Sequence, residues 1–208
     1  MADYDVIIIG GGTAGFSAGM YSSRLGMKTL LVERLIPGGQ IINVERIEDY
    51  PGLPDGISGA DFSSKVQEQA IASGTEFAMS EVTGIRKSGR EWIVDTYEGE
   101  KASKSVIIAS GSTLNKLNVP GENELAGAGV SYCATCDGAF FIDQKVCVVG
   151  GGDSALQEAI TLTEFASNVD LFCRSSSLHA QQTLQDRITD HNKIQVHLNV
   201  EVQEIHGD

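Results

Sequence analysis

The sequence predicts an α/β protein that contains two copies of a strand–turn–helix–strand unit. Residues 6–15 have the sequence VIIIGGGTAG and residues 146–155 have the sequence VCVVGGGDSA, so one pattern recurs after 140 residues. In each copy, an apolar strand ends in three glycines and leads into residues with helical periodicity. The glycine content, 24 of 208 residues, also fits a fold with many tight strand-to-helix turns.

The first copy carries all parts of a dinucleotide-binding Rossmann βαβ unit. Gly10 permits the tight turn, Gly12 lets the backbone approach a pyrophosphate, and Gly15 lets the helix pack closely on the strand. The helix N-terminus offers unpaired N–H groups to phosphate oxygens. The predicted second strand, residues 29–33, ends at Glu33, whose carboxylate can accept hydrogen bonds from ribose hydroxyls. A glycine-rich turn beside a surface glutamate is the alternative, but the common register of these parts favours dinucleotide binding.

The second copy is less complete. It has Gly150 and Gly152, with Ala155 in the third glycine's place, which the pattern tolerates. Its second strand, predicted at residues 169–173, ends in a cysteine where the first copy has its glutamate. Arg174 and the serines after it could hold a 2′-phosphate, although less firmly than a cluster of arginines. The alternative is a unit that keeps this fold but binds its nucleotide weakly or not at all.

Turn-rich segments separate the two copies. The run IVDTYEGEKASKSVIIASGS, residues 93–112, predicts a strand, a turn and a short strand that ends in the small residues 109–111. Such an end lets another group approach the backbone closely. The Pro-Gly pair in NVPGENEL, residues 118–125, is typical of a linker. We therefore expect two domains, residues 1–117 and 118–208.

The composition argues against several classes of function. The net charge of −13 disfavours nucleic acid or an anionic membrane surface as a partner. The N-terminal sequence MADYDVIIIGGG has neither a signal peptide nor a membrane anchor, because its apolar run is too short. Four irregularly spaced cysteines do not form a secreted disulfide framework. We expect a cytoplasmic protein.

Two cysteines in SYCATCDGAF, residues 131–140, allow three interpretations. A zinc site is disfavoured, because the other cysteines and the four histidines provide no second pair of ligands at matching spacing. A structural disulfide would close a tiny loop, contribute little and be reduced in the cytosol. A redox pair fits better, since Cys133 and Cys136 on a helical turn can reach disulfide distance. Asp137 could then exchange the proton that the reaction requires, or take a turn or N-cap role.

Six motifs in order, GGGTAG, GGQ, IEDYPG, IASGS, CATCDG and GGGDSA, extend along the whole chain. With these motifs the sequence resembles the low-molecular-weight thioredoxin reductases, and CATCDG before a second Rossmann turn is the most specific of them. The resemblance implies two Rossmann-like domains in three layers, FAD in the first domain, and a homodimer. It also implies an oxidoreductase that passes two electrons through FAD to the cysteine pair and on to thioredoxin or a thioredoxin-like protein.

The resemblance assigns roles to individual residues. Cys136 would face the flavin, and Cys133 would attack the partner disulfide with Asp137 as the acid. The FAD site would comprise Gly10, Gly12, Thr13, Ala14 and Gly15 at the pyrophosphate, Glu33 at the adenosine ribose with Arg34 adjacent to it, Gly39, Gln40 and Asp49 (usually an asparagine in the family) near the flavin, Val82 near the adenine, and Ala109 and Gly111 in the small-residue turn. The second nucleotide site would comprise Gly150, Gly152, Asp153, Ser154 and Arg174.

The sequence departs from the family pattern in two ways. Members that use NADPH have a basic HRRxxxR clamp where this chain has CRSSSLHA, and only Arg174 matches it. NADPH is therefore expected to bind poorly, and a ferredoxin or a reduced flavin is the alternative electron donor. The family's chain also continues past position 208, so both domains are expected to be incomplete at their C-termini. A truncated flavin-binding chain without turnover is the alternative from a different class.

Overall fold

The computed structural model describes residues 2–207 and divides the chain into two compact units, Met1–Thr113 and Leu114–Asp208. The boundary expected from the sequence lies between residues 117 and 118, so the second unit also contains the residues just before the Pro-Gly linker. Each unit contains one of the two glycine turns. The α/β fold with two Rossmann-like units is confirmed.

A six-stranded sheet with the strand order β3-β2-β1-β6-β5-β4 forms the centre of the first unit. Its strands are β1 (Tyr4–Ile9), β2 (Thr29–Glu33), β3 (Glu76–Met79), β4 (Val82–Ser88), β5 (Glu91–Thr96) and β6 (Gly99–Ile108). The second half of β6 pairs in parallel with β1, and its first half pairs antiparallel with β5. The strand predicted before residue 109 is therefore present, but it has ten residues rather than being short, because it takes part in both ladders.

Both faces of the parallel strands are covered, which explains their continuous apolar sequences. On one face lie α1 (Thr13–Arg24) and α2 (Gly59–Ala72), whose Phe16 and Ala70 pack with apolar residues of β1 and β2. On the other face, Val94 of the β4–β5–β6 meander packs against Ile7, Leu30 and Val32. The first unit thus has three layers, of which the third is a meander.

A three-stranded parallel sheet with the order β7-β8-β9 forms the second unit. Its elements are α3 (Ala134–Asp137), a 3₁₀ turn (Gly138–Phe141), β7 (Lys145–Val149), α4 (Asp153–Leu162), β8 (Asn168–Cys173), α5 (Gln182–Thr189) and β9 (Ile194–Leu198). Leu156 of α4 and Ile188 of α5 pack on Val169 and Leu171 of the central strand. Between residues 2 and 207, no helix combines the length and the apolar character that crossing a bilayer requires.

Candidate functional site

The first glycine turn connects β1 to α1 so tightly that two of its positions accept only glycine. Gly10 has a φ of 108°, and a β-carbon there would overlap the carbonyl group of Ala109. A β-carbon on Gly15 would overlap the carbonyl oxygen of Gly10, because helix and strand approach each other there. These contacts provide the physical reason for two of the three glycines.

Gly12 has a different environment. A β-carbon there would have the carbonyl oxygen of Gly38 as its nearest neighbour, at 3.9 Å, so the position faces open space. Gly12 is also the N-cap of α1, and as a glycine it has no side chain to occupy the helix N-terminus. Its open side adjoins the N–H groups of Thr13 and Ala14 at the start of the helix. The turn therefore fits a pyrophosphate, whose oxygens would accept hydrogen bonds from these amides.

The Glu33 carboxylate is fixed beside this turn by two backbone hydrogen bonds. Its Oε2 accepts from the Gly11 N–H at 2.6 Å, and its Oε1 accepts from the Leu35 N–H at 2.9 Å. Glu33 is half-buried and the adjacent Arg34 is exposed, so the carboxylate keeps a side open to hydroxyl donors. Sequence analysis did not assign a role to Gly11, although its place between Gly10 and Gly12 puts its amide next to the strand end.

Segments distant in sequence meet at the first turn. The Gly38 N–H donates to the Gly11 carbonyl at 2.7 Å, and a β-carbon on Gly39 would lie 3.4 Å from the Gly12 Cα. The Gln40 side chain donates to the Ser112 carbonyl. The structure thus brings together most of the predicted first-unit site residues: Gly10, Gly12, Thr13, Ala14, Gly15, Glu33, Gly39, Gln40, Ala109 and Gly111.

Two further predicted residues lie elsewhere in the first unit. Asp49 is exposed and lies in the IEDYPG segment between the first 3₁₀ turn (Gly39–Asn43) and α2. Val82 begins β4 and packs in the apolar layer that contains Val32, the neighbour of Glu33. The fold therefore accounts for the packing of Val82 without a ligand, whereas Asp49 is open to solvent.

The second glycine turn has the same backbone course with different side chains. Gly150 has a φ of 149°, and a β-carbon there would lie 2.7 Å from the Cβ of Ala155. Among residues 2–207, no atom lies within 4 Å of a β-carbon built on Gly152, so this position is also open. Cys173 ends β8 and is buried against Gly151, and its thiol lies 3.8 Å from the Ser177 carbonyl. A buried thiol thus stands at the strand end.

Asp153 holds the loop that follows β8. Its Oδ1 accepts from the Gln181 N–H at 2.7 Å, and its Oδ2 accepts from the Gln181 side-chain amide at 3.3 Å. The His179 N–H donates to the Gly151 carbonyl at 2.7 Å, so the loop folds back onto the turn. Ser154 and Arg174 are exposed beside it. The Asp153 carboxylate therefore has a structural role at the site where the sequence predicted a nucleotide contact.

Cys133 and Cys136 form a disulfide on a helical turn, as their spacing predicted. Their Cα atoms are 5.3 Å apart, and Cys133 is the N-cap of α3. Cys133 is half-buried, whereas Cys136 is exposed. Among residues 2–207, no three His, Cys, Asp or Glu side chains gather as a metal site would require. The exposed Cys136 makes the disulfide accessible to thiol–disulfide exchange.

The residues around the disulfide include several that sequence analysis missed. The Ser131 hydroxyl donates to the Asp137 Oδ2 at 2.6 Å and accepts from the Cys133 N–H at 3.1 Å. Asp137 ends α3 and is the N-cap residue of the next turn, but its side chain makes no capping hydrogen bond there. Glu158 of α4 accepts a hydrogen bond from the N–H of Ala134. Their sequence positions gave no signal for these contacts.

The region of this chain that matches known proteins contains both glycine turns and the cysteine pair. The family model of pyridine nucleotide-disulphide oxidoreductases matches residues 4–208. Thioredoxin reductases of Bacillus subtilis and Listeria monocytogenes are each 46% identical over 99% of this chain, which spans 65% and 64% of their lengths.

Solved thioredoxin reductases give the same result. That of Lactococcus lactis, in its FR conformation, has a TM-score of 0.95 and 47% identity, over 99% of this chain and 68% of that one. That of T. acidophilum has a TM-score of 0.93 and 32% identity, over 100% of this chain and 68% of that one. The chain therefore belongs to the pyridine nucleotide-disulphide oxidoreductase family and, within it, to the thioredoxin reductase group.

Proposed function

We propose that the chain binds FAD at the first glycine turn and acts as a thioredoxin-reductase-type oxidoreductase on thioredoxin or a thioredoxin-like protein. The observation that carries this proposal is the Cys133–Cys136 disulfide on the short helical turn α3, with Cys136 exposed. The first glycine turn of the same chain presents an open helix N-terminus and the fixed Glu33 carboxylate. When bound, FAD would supply two-electron transfer to the disulfide.

The residues of the first turn would bind and orient the cofactor. The backbone at Gly12 and the first amides of α1 would hold the pyrophosphate. Glu33, held by the Gly11 and Leu35 amides, would accept hydrogen bonds from the adenosine ribose. Gly39 and Gln40 lie beside Gly12 and Ser112, where they would border the rest of the cofactor.

The cysteine pair would exchange its disulfide with that of the partner. Reduction breaks the Cys133–Cys136 bond and takes up two electrons and two protons. The Cys133 thiolate then attacks one partner sulfur and forms a mixed disulfide, which Cys136 resolves by re-forming the original bond. The partner leaves as a dithiol, so electrons and atoms balance. Asp137, held by the Ser131 hydroxyl, would move the proton at a cysteine sulfur.

A second candidate function uses the same cofactor and cysteine pair, but its electron donor is not a nicotinamide nucleotide. In the second unit, a buried Cys173 stands at the strand end, and Arg174 is the one basic residue in the segment CRSSSLHA apart from His179. A 2′-phosphate is recognised far better by bidentate arginines than by hydroxyls. NADH is not expected to bind more tightly either, because Cys173 replaces the carboxylate that would accept hydrogen bonds from its ribose hydroxyls. These features favour a ferredoxin or a reduced flavin as the donor.

An absorption experiment tests both candidates. We expect the purified protein to take up FAD at micromolar concentration. On reduction, the Cys133→Ser variant should keep a thiolate–flavin charge-transfer band, whereas the Cys136→Ser variant should lose it. NADPH and NADH should bleach the flavin slowly in stopped-flow mixing, and added thioredoxin should restore its absorbance. Absence of flavin uptake contradicts the function, and rapid bleaching by micromolar NADPH contradicts the second candidate. Loss of the band in Cys133→Ser alone would reverse the two cysteine roles.

A further inference from the structure

A carboxylate of α4 contacts the turn that carries the two cysteines. Glu158 Oε2 accepts a hydrogen bond from the N–H of Ala134, the first residue of α3. Ala134 is only 6% exposed and packs in the apolar core with Leu156 and Ala159 of α4. The cysteine turn is thus attached to α4 by an apolar contact and by a hydrogen bond to a charged group.

The sulfur of Cys133 lies at the same end of this turn. Its Sγ accepts from the Cys136 N–H at 3.2 Å, while the adjacent Ala134 N–H is directed to Glu158. Both groups therefore use amides from the first turn of α3. Cys133 directly precedes Ala134, so a negative charge on its sulfur and one on the Glu158 carboxylate would repel each other in a site that is partly shielded from water.

The charged groups around the turn are few. Glu158 is half-buried, and desolvation raises the pKa of its carboxyl above the usual value, opposed by the hydrogen bond from Ala134. Asp137 ends α3, but its carboxylate accepts from the Ser131 hydroxyl, which itself accepts from the Cys133 N–H. The 3₁₀ turn that follows, Gly138–Phe141, contains no ionisable side chain. Two acidic side chains therefore adjoin the cysteine turn, Glu158 through Ala134 and Asp137 through Ser131.

We propose that Glu158 is a positioning residue for the redox pair: it holds the N-terminal end of the cysteine turn on α4, and its charge disfavours the Cys133 thiolate. When the disulfide takes up two electrons and two protons, the carboxylate makes Cys133 keep its proton more strongly. The hydrogen bond to Ala134 keeps the turn in place when the bond between the sulfurs is broken. This inference rests on the proposed redox role of the pair, but its test requires neither FAD nor an electron donor.

Glu158→Gln separates charge from position, because a glutamine oxygen still accepts from the Ala134 N–H. The chain is reduced with dithiothreitol, and the alkylation rate of each cysteine by iodoacetamide is followed by peptide mass spectrometry between about pH 6 and pH 10. We expect the midpoint for Cys133 to fall by about half to one pH unit in the variant. Exposed Cys147 on β7 should keep its profile and serves as the internal control. Glu164→Gln, an exposed position just after α4, is the matched control variant and should leave Cys133 unchanged.

Glu158→Ala removes the acceptor itself. We expect the Ala134 amide to exchange its hydrogen at least about tenfold faster, because it loses a hydrogen bond to a charged group. An unchanged Cys133 midpoint in Glu158→Gln, or unchanged Ala134 exchange in Glu158→Ala, overturns the proposal. If the alanine variant does not fold, the glutamine variant still decides, since it keeps the contact with the turn. Failure to bind FAD would affect neither measurement.

Discussion

The two glycine turns of this chain share one backbone arrangement. In each, the loop after the second strand returns to the carbonyl of the middle glycine: the Gly38 N–H donates to Gly11 and the His179 N–H donates to Gly151, both at 2.7 Å. Each turn also has an open position at the helix N-cap, Gly12 or Gly152. Both copies therefore keep the same backbone course, with an open helix N-terminus.

The side chains at the two strand ends differ. The Glu33 carboxylate accepts a hydrogen bond from the Gly11 N–H, whereas the Cys173 thiol is buried against Gly151. The third glycine of the first turn, Gly15, leaves no room for a β-carbon, but the second turn accommodates Ala155 at the equivalent position. A βαβ unit can thus keep its backbone course while the side chain at the end of its second strand is replaced. It also means that each turn responds differently to equivalent substitutions.

The largest expected difference is in the free energy of unfolding when Gly15 and Ala155, the third small residues of the two turns, are exchanged for each other's residue type. Gly15→Ala places a β-carbon on the Gly10 carbonyl and should lower the free energy of unfolding of the first unit by about 3 kcal/mol. The reverse change, Ala155→Gly, only adds a glycine to α4 and should cost about 0.5–1 kcal/mol in the second unit. Urea unfolding measures both, with the fluorescence of Trp92 in β5 reporting on the first unit. Similar losses at the two positions would show that helix and strand are equally close in both units.

A smaller effect is expected from exchanging the strand-end group. Cys173→Glu should place a carboxylate beside the Gly151 N–H, as Glu33 lies beside Gly11. We expect NADH affinity to rise about tenfold, because a charged acceptor gains a ribose hydroxyl. NADPH should not gain, since its 2′-phosphate would be repelled. Isothermal titration calorimetry measures both nucleotides, with Cys173→Ser as the neutral control. An equal gain for NADPH would mean that the carboxylate does not contact the ribose.

The smallest effect concerns a carboxylate that the second unit holds outside its glycine turn. Glu122 is 1% exposed and accepts hydrogen bonds from the Leu117 and Asn118 amides and the Tyr132 hydroxyl. Burial alone would raise the pKa of Glu122, but these hydrogen bonds outweigh it, so the pKa lies below its usual value. Because the folded state binds the proton less tightly, this carboxylate stabilises the fold above about pH 4.5 and loses its effect as the pH falls through the folded pKa.

Glu122→Gln should therefore flatten the loss of stability of the second unit on acidification. The measurement is urea unfolding followed by far-UV circular dichroism at neutral pH and below about pH 4.5. Glu124→Gln, at an exposed position two residues away, is the control and should keep the slope of the native chain. A slope that is unchanged in Glu122→Gln would show that its hydrogen bonds persist in both protonation states.

The sequence by itself determined the features that depend on neighbouring residues. Both glycine turns follow from local conformation, since only glycine adopts the φ of Gly10 at no steric cost. The strand Thr29–Glu33 has the predicted bounds, because its apolar residues are continuous and a turn follows. The i, i+3 spacing of Cys133 and Cys136 allows the disulfide that forms on their helical turn.

Only the tertiary structure decided which distant groups meet. Strand β6 joins two ladders because its two halves find different partners. The contact from Gly11 to Glu33 spans 22 residues, and the contact from Ala134 to Glu158 spans 24. No local pattern selects such partners, because a carboxylate on a helix or at a strand end has many possible donors until packing fixes one. The residues that surround the cysteine pair are therefore known only from the folded chain.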